Sequence, residues 1–149
     1  MRLYLDTEFN GFGGALMSIG LVPAAADAPI FYRVIEFKGH IDNWVRQHVV
    51  PHLYGTPEPR ESAGAALACY LQNVGEPSVI VADWPTDFEH LLGLLINGPG
   101  MMHPAPDFSM EYQRVNGFNT ADHSRVPHNA LEDAIALRDY CERLGKWSR

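Results

Sequence analysis

The chain is poor in cysteine, poor in positive charge and free of long apolar runs, and each shortage removes a class of protein. Only two cysteines occur, Cys69 and Cys141. Neither belongs to a C-x-x-C pair, so neither a zinc ribbon nor a redox dithiol is expected. Both sit in apolar stretches of helical spacing, which predicts buried free thiols in a reducing, cytoplasmic compartment. With no run of about 18 apolar residues, no membrane-spanning helix is expected. The first residues hold one Arg and no long apolar segment, so no secretory leader is expected. Lys and Arg number 11 against 18 Asp and Glu, for a formal net charge of −7. A protein that coats nucleic acid would be basic. A nuclease whose acids are neutralised by cations stays allowed, since two divalent ions would bring −7 + 4 = −3. Gly11, Gly13 and Gly14 lack the G-x-G-x-x-G spacing and the following helix of a dinucleotide-binding turn. No internal repeat or low-complexity segment is present.

What is there suits one α/β domain over residues 1–149, with 46% hydrophobic residues for its core. Residues 2–8 alternate with period 2 and predict a strand. Residues 10–14 read as a loop, and 16–24 and 30–37 as two more strands. Short connections among the three predict an antiparallel meander. A short helix is expected over 43–50, capped by Asp42 and stopped by Pro51, with Trp44, Val45, His48 and Val49 on one face. A proline-rich loop over 51–60 precedes a helix over 61–74 that ends at Gly75. The apolar run 78–83 predicts a strand buried on both faces. Thr86 and Glu89 read as a capping box opening a helix that ends at Asn97-Gly98-Pro99. Loops over 100–106 and 116–127 flank a weak strand over 108–115. A last helix is expected from Asn129, its N-cap, to about Leu144, with Gly145 ending it. Arg138, Arg143, Lys146 and Arg149 crowd its end, where cations offset the helix dipole; a phosphate-facing patch is the alternative.

The acids carry the chemistry. Asp6 and Glu8 lie two apart on the first strand and so point to one face, about 7 Å apart. Paired carboxylates there suit a divalent cation with oxygen ligands; a solvated polar face is the other reading. On the last helix Ala130, Ala134, Leu137, Cys141 and Leu144 share a face, and Asp133 lies at its edge. A carboxylate half turned to the core is costly without a partner. His128 precedes that helix and is the side chain best suited to take a proton near neutrality, although His103 and His123 are also loop histidines. Asp83 closes the buried strand and Asp87 opens the next helix, at the strand end where α/β sites sit.

D-T-E at residues 6–8, an Asp in mid-chain and His128-Asn129-Ala130-Leu131-Glu132-Asp133 recur in one order along nearly the whole chain. This set resembles the DEDDh branch of the 3′–5′ exonucleases, the proofreading-subunit and ribonuclease T-like enzymes. In layout it is most similar to small single-domain exoribonucleases of the mycobacterial type. Asp87 with Leu91 four residues on matches the middle motif, and Asp83 is the alternative. Relatives often carry His-Asn upstream of that Asp, where this chain has Ala82-Asp83-Trp84-Pro85.

The resemblance implies a ribonuclease H-like fold, a five-stranded mixed sheet flanked by helices. It implies two Mg²⁺ or Mn²⁺ ions, roughly 3.5–4 Å apart, held by Asp6, Glu8, Asp87 and Asp133, with Asp6 bridging them. It makes His128 the general base and nucleoside 5′-monophosphates the products. Phe9, Asn10, Phe12 and Trp84 are the expected substrate contacts, the aromatics by stacking on terminal bases. The expected substrate is single-stranded RNA with a 3′ end, with single-stranded DNA as the alternative. A homodimer is also implied, in which one subunit supplies basic residues to the other's site. The rival from another class is a catalytically silent nucleic-acid- or protein-binding module on the same fold, and a third reading is an unrelated metal-dependent hydrolase. A silent module would have no need to keep four acids and a histidine together.

Overall fold

The computed structural model describes residues 1–75, 78–114 and 117–143. Strand β1 (Arg2–Phe9) is the spine of a five-stranded mixed sheet in the order β3-β2-β1-β4-β7. β2 (Leu16–Pro23) pairs antiparallel with β1, and β3 (Phe31–Val34) antiparallel with β2. β4 (Ser78–Ala82) runs parallel to β1, and β7 (Phe108–Tyr112) parallel to β4. The alternation in β1 has two consequences. Leu3 and Leu5 enter one core with Ile80 and the apolar faces of α2 (Arg60–Asn73) and α3 (Pro85–Leu95). Tyr4 turns the other way and meets Leu137 and Cys141 of α5 (Ala130–Arg143). Asp6 and Glu8 share the parity of Tyr4, so they face the side on which α5 lies. β2 is buried along its whole length because both faces are covered.

Several boundaries differ from the sequence reading, each for a local reason. β3 ends at Val34 because the chain then turns to the end of the proline-rich loop, where Ile35 bridges Glu58 and the Glu36 amide bonds its carbonyl. α1 (Asn43–His48) is capped by Asp42 as expected, and a 3-10 turn (Val50–His52) carries Pro51. Val45 and Val49 enter a small core with Met17, whereas Trp44 is 51% exposed and stacks on His48, so the four do not form one buried face. The capping box at Thr86 does not form. Pro85 occupies the first turn, Trp84 is the N-cap, and no side chain caps it. Ile96–Gly98 (β5) and Met101–Met102 (β6) form a hairpin where a helix end and a loop were expected, helped by the left-handed backbone of Gly100. Asn119 caps a short helix, α4 (Thr120–His123), inside the expected polar loop. Cys141 is buried as expected, but Cys69 faces solvent on α2. β7 ends at Tyr112, before the expected 115; residue 115 and Leu144, Gly145, Lys146 and Arg149 lie outside the described residues. No described helix is long and apolar enough to cross a membrane.

Gly20 sets how closely α5 approaches the sheet. It stands opposite Asp6 in the β1–β2 register. A Cβ there would lie 2.5 Å from the Ala130 carbonyl oxygen and 2.9 Å from the Leu131 nitrogen. The first turn of α5 therefore rests on bare backbone, which brings Asp133 down to the level of Asp6 and Glu8. Gly20→Ala is expected to destabilise the fold by about 1–3 kcal/mol through forced displacement of α5. At Gly93 in α3 an added Cβ meets only the end of the Arg60 side chain, at 3.3 Å. Gly93→Ala should therefore be neutral or stabilise by up to about 1 kcal/mol through helix propensity. Urea denaturation of the two variants measures both, and equal effects would contradict the close approach at Gly20.

Candidate active site

Five carboxylates converge where β1 and β4 end. The parallel register pairs Tyr4 with Val81, so two residues further on Asp83 emerges beside Asp6. Asp6, Asp83 and Asp87 form one group whose ligand oxygens all lie within 4.8 Å of one another; Asp6, Glu8 and Asp133 form a second. The two groups share Asp6. Asp87 reaches its place from the first turn of α3, where Thr7 holds it: the Thr7 hydroxyl and amide donate to Asp87 Oδ1 at 2.6 and 3.2 Å. Asp133 is 5% exposed on α5, and its Oδ2 accepts the His128 amide at 3.0 Å. One oxygen of each of three acids remains over. Asp6 Oδ2, Asp87 Oδ2 and Asp133 Oδ1 are buried without a hydrogen-bond partner. Buried acceptors are nearly always satisfied. Oxygen-only donors, left unpaired and clustered in two sets around a shared carboxylate, fit hard divalent cations such as Mg²⁺ or Mn²⁺.

The electrostatics agree with that chemistry. Burial, and then the charges of Asp87, Glu8, Asp133 and Asp83, hold the Asp6 carboxyl well above the usual range. Burial and the neighbouring Asp133 push Glu8 up to about 8. Burial raises Asp87 to about 7, although its bonds from Thr7 oppose the shift. Burial raises Asp133 to about 6 against the opposing influence of the nearby Ser124 hydroxyl and the bond from the His128 amide. Asp83 is also raised by burial. Without cations the cluster retains protons at neutral pH.

His128 sits at the rim of the same cleft, at the entrance to α5. Its φ of 67° is the left-handed conformation, the only such value for a non-glycine residue among those described. Burial, and then nearby His48 and His52, lower the pKa of its imidazole, so it is neutral and able to accept a proton at pH 7. The ring of Trp44 meets it edge to face at 5.1 Å between centroids.

The cleft has a volume of about 760 Å³, with acids on its floor and aromatic rings on two walls. Phe9, Phe12 and Trp84 form one wall; Phe12 lies 6.4 Å from each of the other two rings, and Phe12 is 87% exposed. Trp44 with Val45 and Val49 forms the other. Asn10 does not line the cleft. Its amide donates to the His40 carbonyl and its oxygen accepts the Asp42 amide, so it fastens the loop before α1 and is not placed as a substrate contact. His103 is buried beside Gly64 and His123 stacks on Phe118, both away from the cluster. Asp87 and Asp83, weighed as alternatives, both join the cluster.

No family model matches the chain, and no curated protein matches it. The site is therefore read from its own residues.

Thr7, Gly20 and Trp44 shape the site, yet the sequence reading assigns them no role in it. Thr7 is hidden inside the D-T-E motif, on the opposite face from its acids. Gly20 has no signal except as a glycine inside a strand pattern, which can mark close backbone approach. Trp44 is misplaced by helical periodicity.

A carboxyl whose folded pKa lies above its unfolded value stabilises the fold in its protonated form. That contribution is present below the unfolded pKa and is lost as pH rises through the folded one. For Asp133, Asp87 and Glu8 the window runs from 3.8 and 4.5 up to about 8. Metal-free protein should therefore melt at a lower temperature at pH 8 than at pH 5. Mg²⁺ or Mn²⁺ should raise the melting temperature at pH 8 and little at pH 5, because ligands must be deprotonated. Thermal scans with and without EDTA measure this, and a melting temperature indifferent to both pH and metal would contradict it.

Proposed function

We propose that this protein is a metal-dependent 3′–5′ exonuclease of the DEDDh type, acting on the 3′ end of single-stranded RNA. The observation that carries the reading is the pair of carboxylate groups sharing Asp6, with His128 tied through its amide to Asp133. A binding module gains nothing from crowding five mutually repelling acids, three of them buried, beside a neutral histidine. The strand order, three antiparallel strands followed by two parallel to the first, supports a ribonuclease H-like fold. The preference for RNA and the homodimer rest on the resemblance in layout.

When bound, two Mg²⁺ or Mn²⁺ ions supply Lewis-acid polarisation of the scissile phosphate and charge stabilisation for attack and departure. Asp6, Glu8 and Asp133 would hold one ion, and Asp6, Asp87 and Asp83 the other. The unpartnered oxygens of Asp6, Asp87 and Asp133 are the ligands left over after Thr7 and the His128 amide have taken theirs. His128 takes the proton of the attacking water, which its neutral imidazole permits. Phe9, Phe12 and Trp84 on one wall, and Trp44 on the other, stack on the terminal bases and exclude water around them. The product is a nucleoside 5′-monophosphate and an oligonucleotide one residue shorter.

Purified protein given 5′-labelled single-stranded RNA and DNA with Mg²⁺ or Mn²⁺ should shorten RNA stepwise from the 3′ end. EDTA and Asp6→Ala should abolish the ladder. His128→Ala should keep metal binding and lose about 10²- to 10⁴-fold in turnover. Binding without shortening under every metal condition would sink the enzyme reading, and full activity of His128→Ala would remove it as the base.

Among the described residues lining the cleft none is Lys or Arg. Binding by one chain would then draw on stacking and metal contacts, with few phosphate contacts of its own. The Michaelis constant should change little with salt, since the logarithmic slope is about 0.7 per phosphate neutralised on a single strand. A steep slope would instead point to basic groups brought by a partner subunit.

A further inference from the structure

Asn129 is wholly buried, and its two ends do separate work. Its Oδ1 accepts the amides of Leu131 and Glu132, both at 3.1 Å, closing the first turn of α5. Its Nδ2 faces away from the helix and donates to the His52 carbonyl at 2.6 Å and the Tyr32 hydroxyl at 3.3 Å. That hydroxyl also accepts the Tyr54 amide at 3.2 Å. An N-cap needs only the acceptor end. The donor end ties the start of α5 to the 3-10 turn that follows α1, and α1 carries Trp44. Trp44 is itself held between two rings, stacked on His48 at 4.7 Å and edge-on to His128 at 5.1 Å.

We propose that Asn129 is a positioning residue: its amide, together with Tyr32, straps the Trp44 wall to the start of α5 and so fixes the ring of His128 in the cleft. The proposal rests on the exonuclease reading, because there the ring of His128 must be held. A side chain at a helix entrance has free torsions unless something packs against it. Asn129 adjoins His128 in the chain and anchors the wall that His128 leans on. One buried amide thereby sets the separation between the backbone that bears the base and the ring that confines it. A misplacement of about 1 Å at a reacting group can cost about 10²-fold in rate.

The test separates the two ends of Asn129. In Asn129→Ser a hydroxyl can still cap α5 but is too short to reach the His52 carbonyl. Tyr32→Phe removes a single hydroxyl from the strap, and Trp44→Ala removes the wall it holds. Turnover and the Michaelis constant on labelled RNA, Mn²⁺ affinity by titration, and the His128 ring resonances by NMR are read for each. Asn129→Ser is expected to lower turnover about tenfold or more while the Michaelis constant and Mn²⁺ affinity stay within about twofold. Tyr32→Phe should lose less. Adding Trp44→Ala to Asn129→Ser should raise the Michaelis constant, because Trp44 also stacks on the bases, but should cost little further turnover, because both fix His128 through one contact. The His128 ring signals should shift in each single variant. Additive losses, losses that follow Mn²⁺ affinity, or unmoved His128 signals would overturn the proposal. If Asn129→Ser does not fold, Tyr32→Phe with Trp44→Ala completes the same cycle. If the unaltered protein shows no exonuclease activity, the exonuclease reading fails by itself, and the NMR comparison still decides whether the strap exists.

Discussion

Repulsion among clustered carboxylates, buried and half-buried, is the constraint to which the rest of this structure answers. Asp6, Glu8, Asp83, Asp87 and Asp133 are drawn together from a strand, a strand end and two helices. None of them is in an ion pair among the described residues. Each needs a separate structural reason to be there. β1 must be the spine of the sheet so that its two acids meet neighbours on both sides. Gly20 must be bare so that α5 can descend. Thr7 must reach Asp87 from the opposite face of the same strand that carries Asp6. Such an arrangement is costly without protons or cations to relieve it. That cost is the strongest sign that the cluster serves chemistry and not stability.

Much of this was legible because the residues obey simple periods. Period 2 places Asp6 and Glu8 on one face from the sequence alone, and the structure keeps them there. The apolar face of the last helix puts Asp133 at its edge, and Asp133 is indeed buried among those residues. The continuous apolar run before Asp83 reads as a parallel strand and is one. Illegible features share a different cause: they depend on register between distant segments. Asp83 joins the cluster because β4 pairs with β1 in a particular alignment, which no local pattern specifies. The capping box at Thr86 fails because Pro85 moves the helix start by its own fixed torsion. Trp44 sits one position from Val45 on α1, yet the two point into different environments. A face assigned by spacing alone does not locate its edge.

The cleft divides its work by polarity. Its floor offers only oxygen, and its walls offer mainly carbon and π-surface. A single-stranded polyanion meeting such a site can be gripped by its bases and by whatever cations the floor holds. Under the exonuclease proposal, that arrangement would favour recognition of an end over recognition of a length. It also explains how an acidic chain can be proposed to handle an acidic polymer without a basic stripe. Phe12, held out on a loop between two glycines of left-handed backbone, is almost bare to water until something stacks on it.

The backbone of His128 has a bearing on how this protein could change over time or under selection. A side chain bearing a Cβ is disfavoured in the left-handed conformation by about 1–2 kcal/mol, and glycine is not. Replacement of His128 by glycine would relieve that strain, so on grounds of durability alone the position favours its own loss. A screen rewarding heat resistance without asking for turnover would be drawn to this site early. Sequences that keep histidine here against that pull would carry, in that single choice, a record that the ring is used.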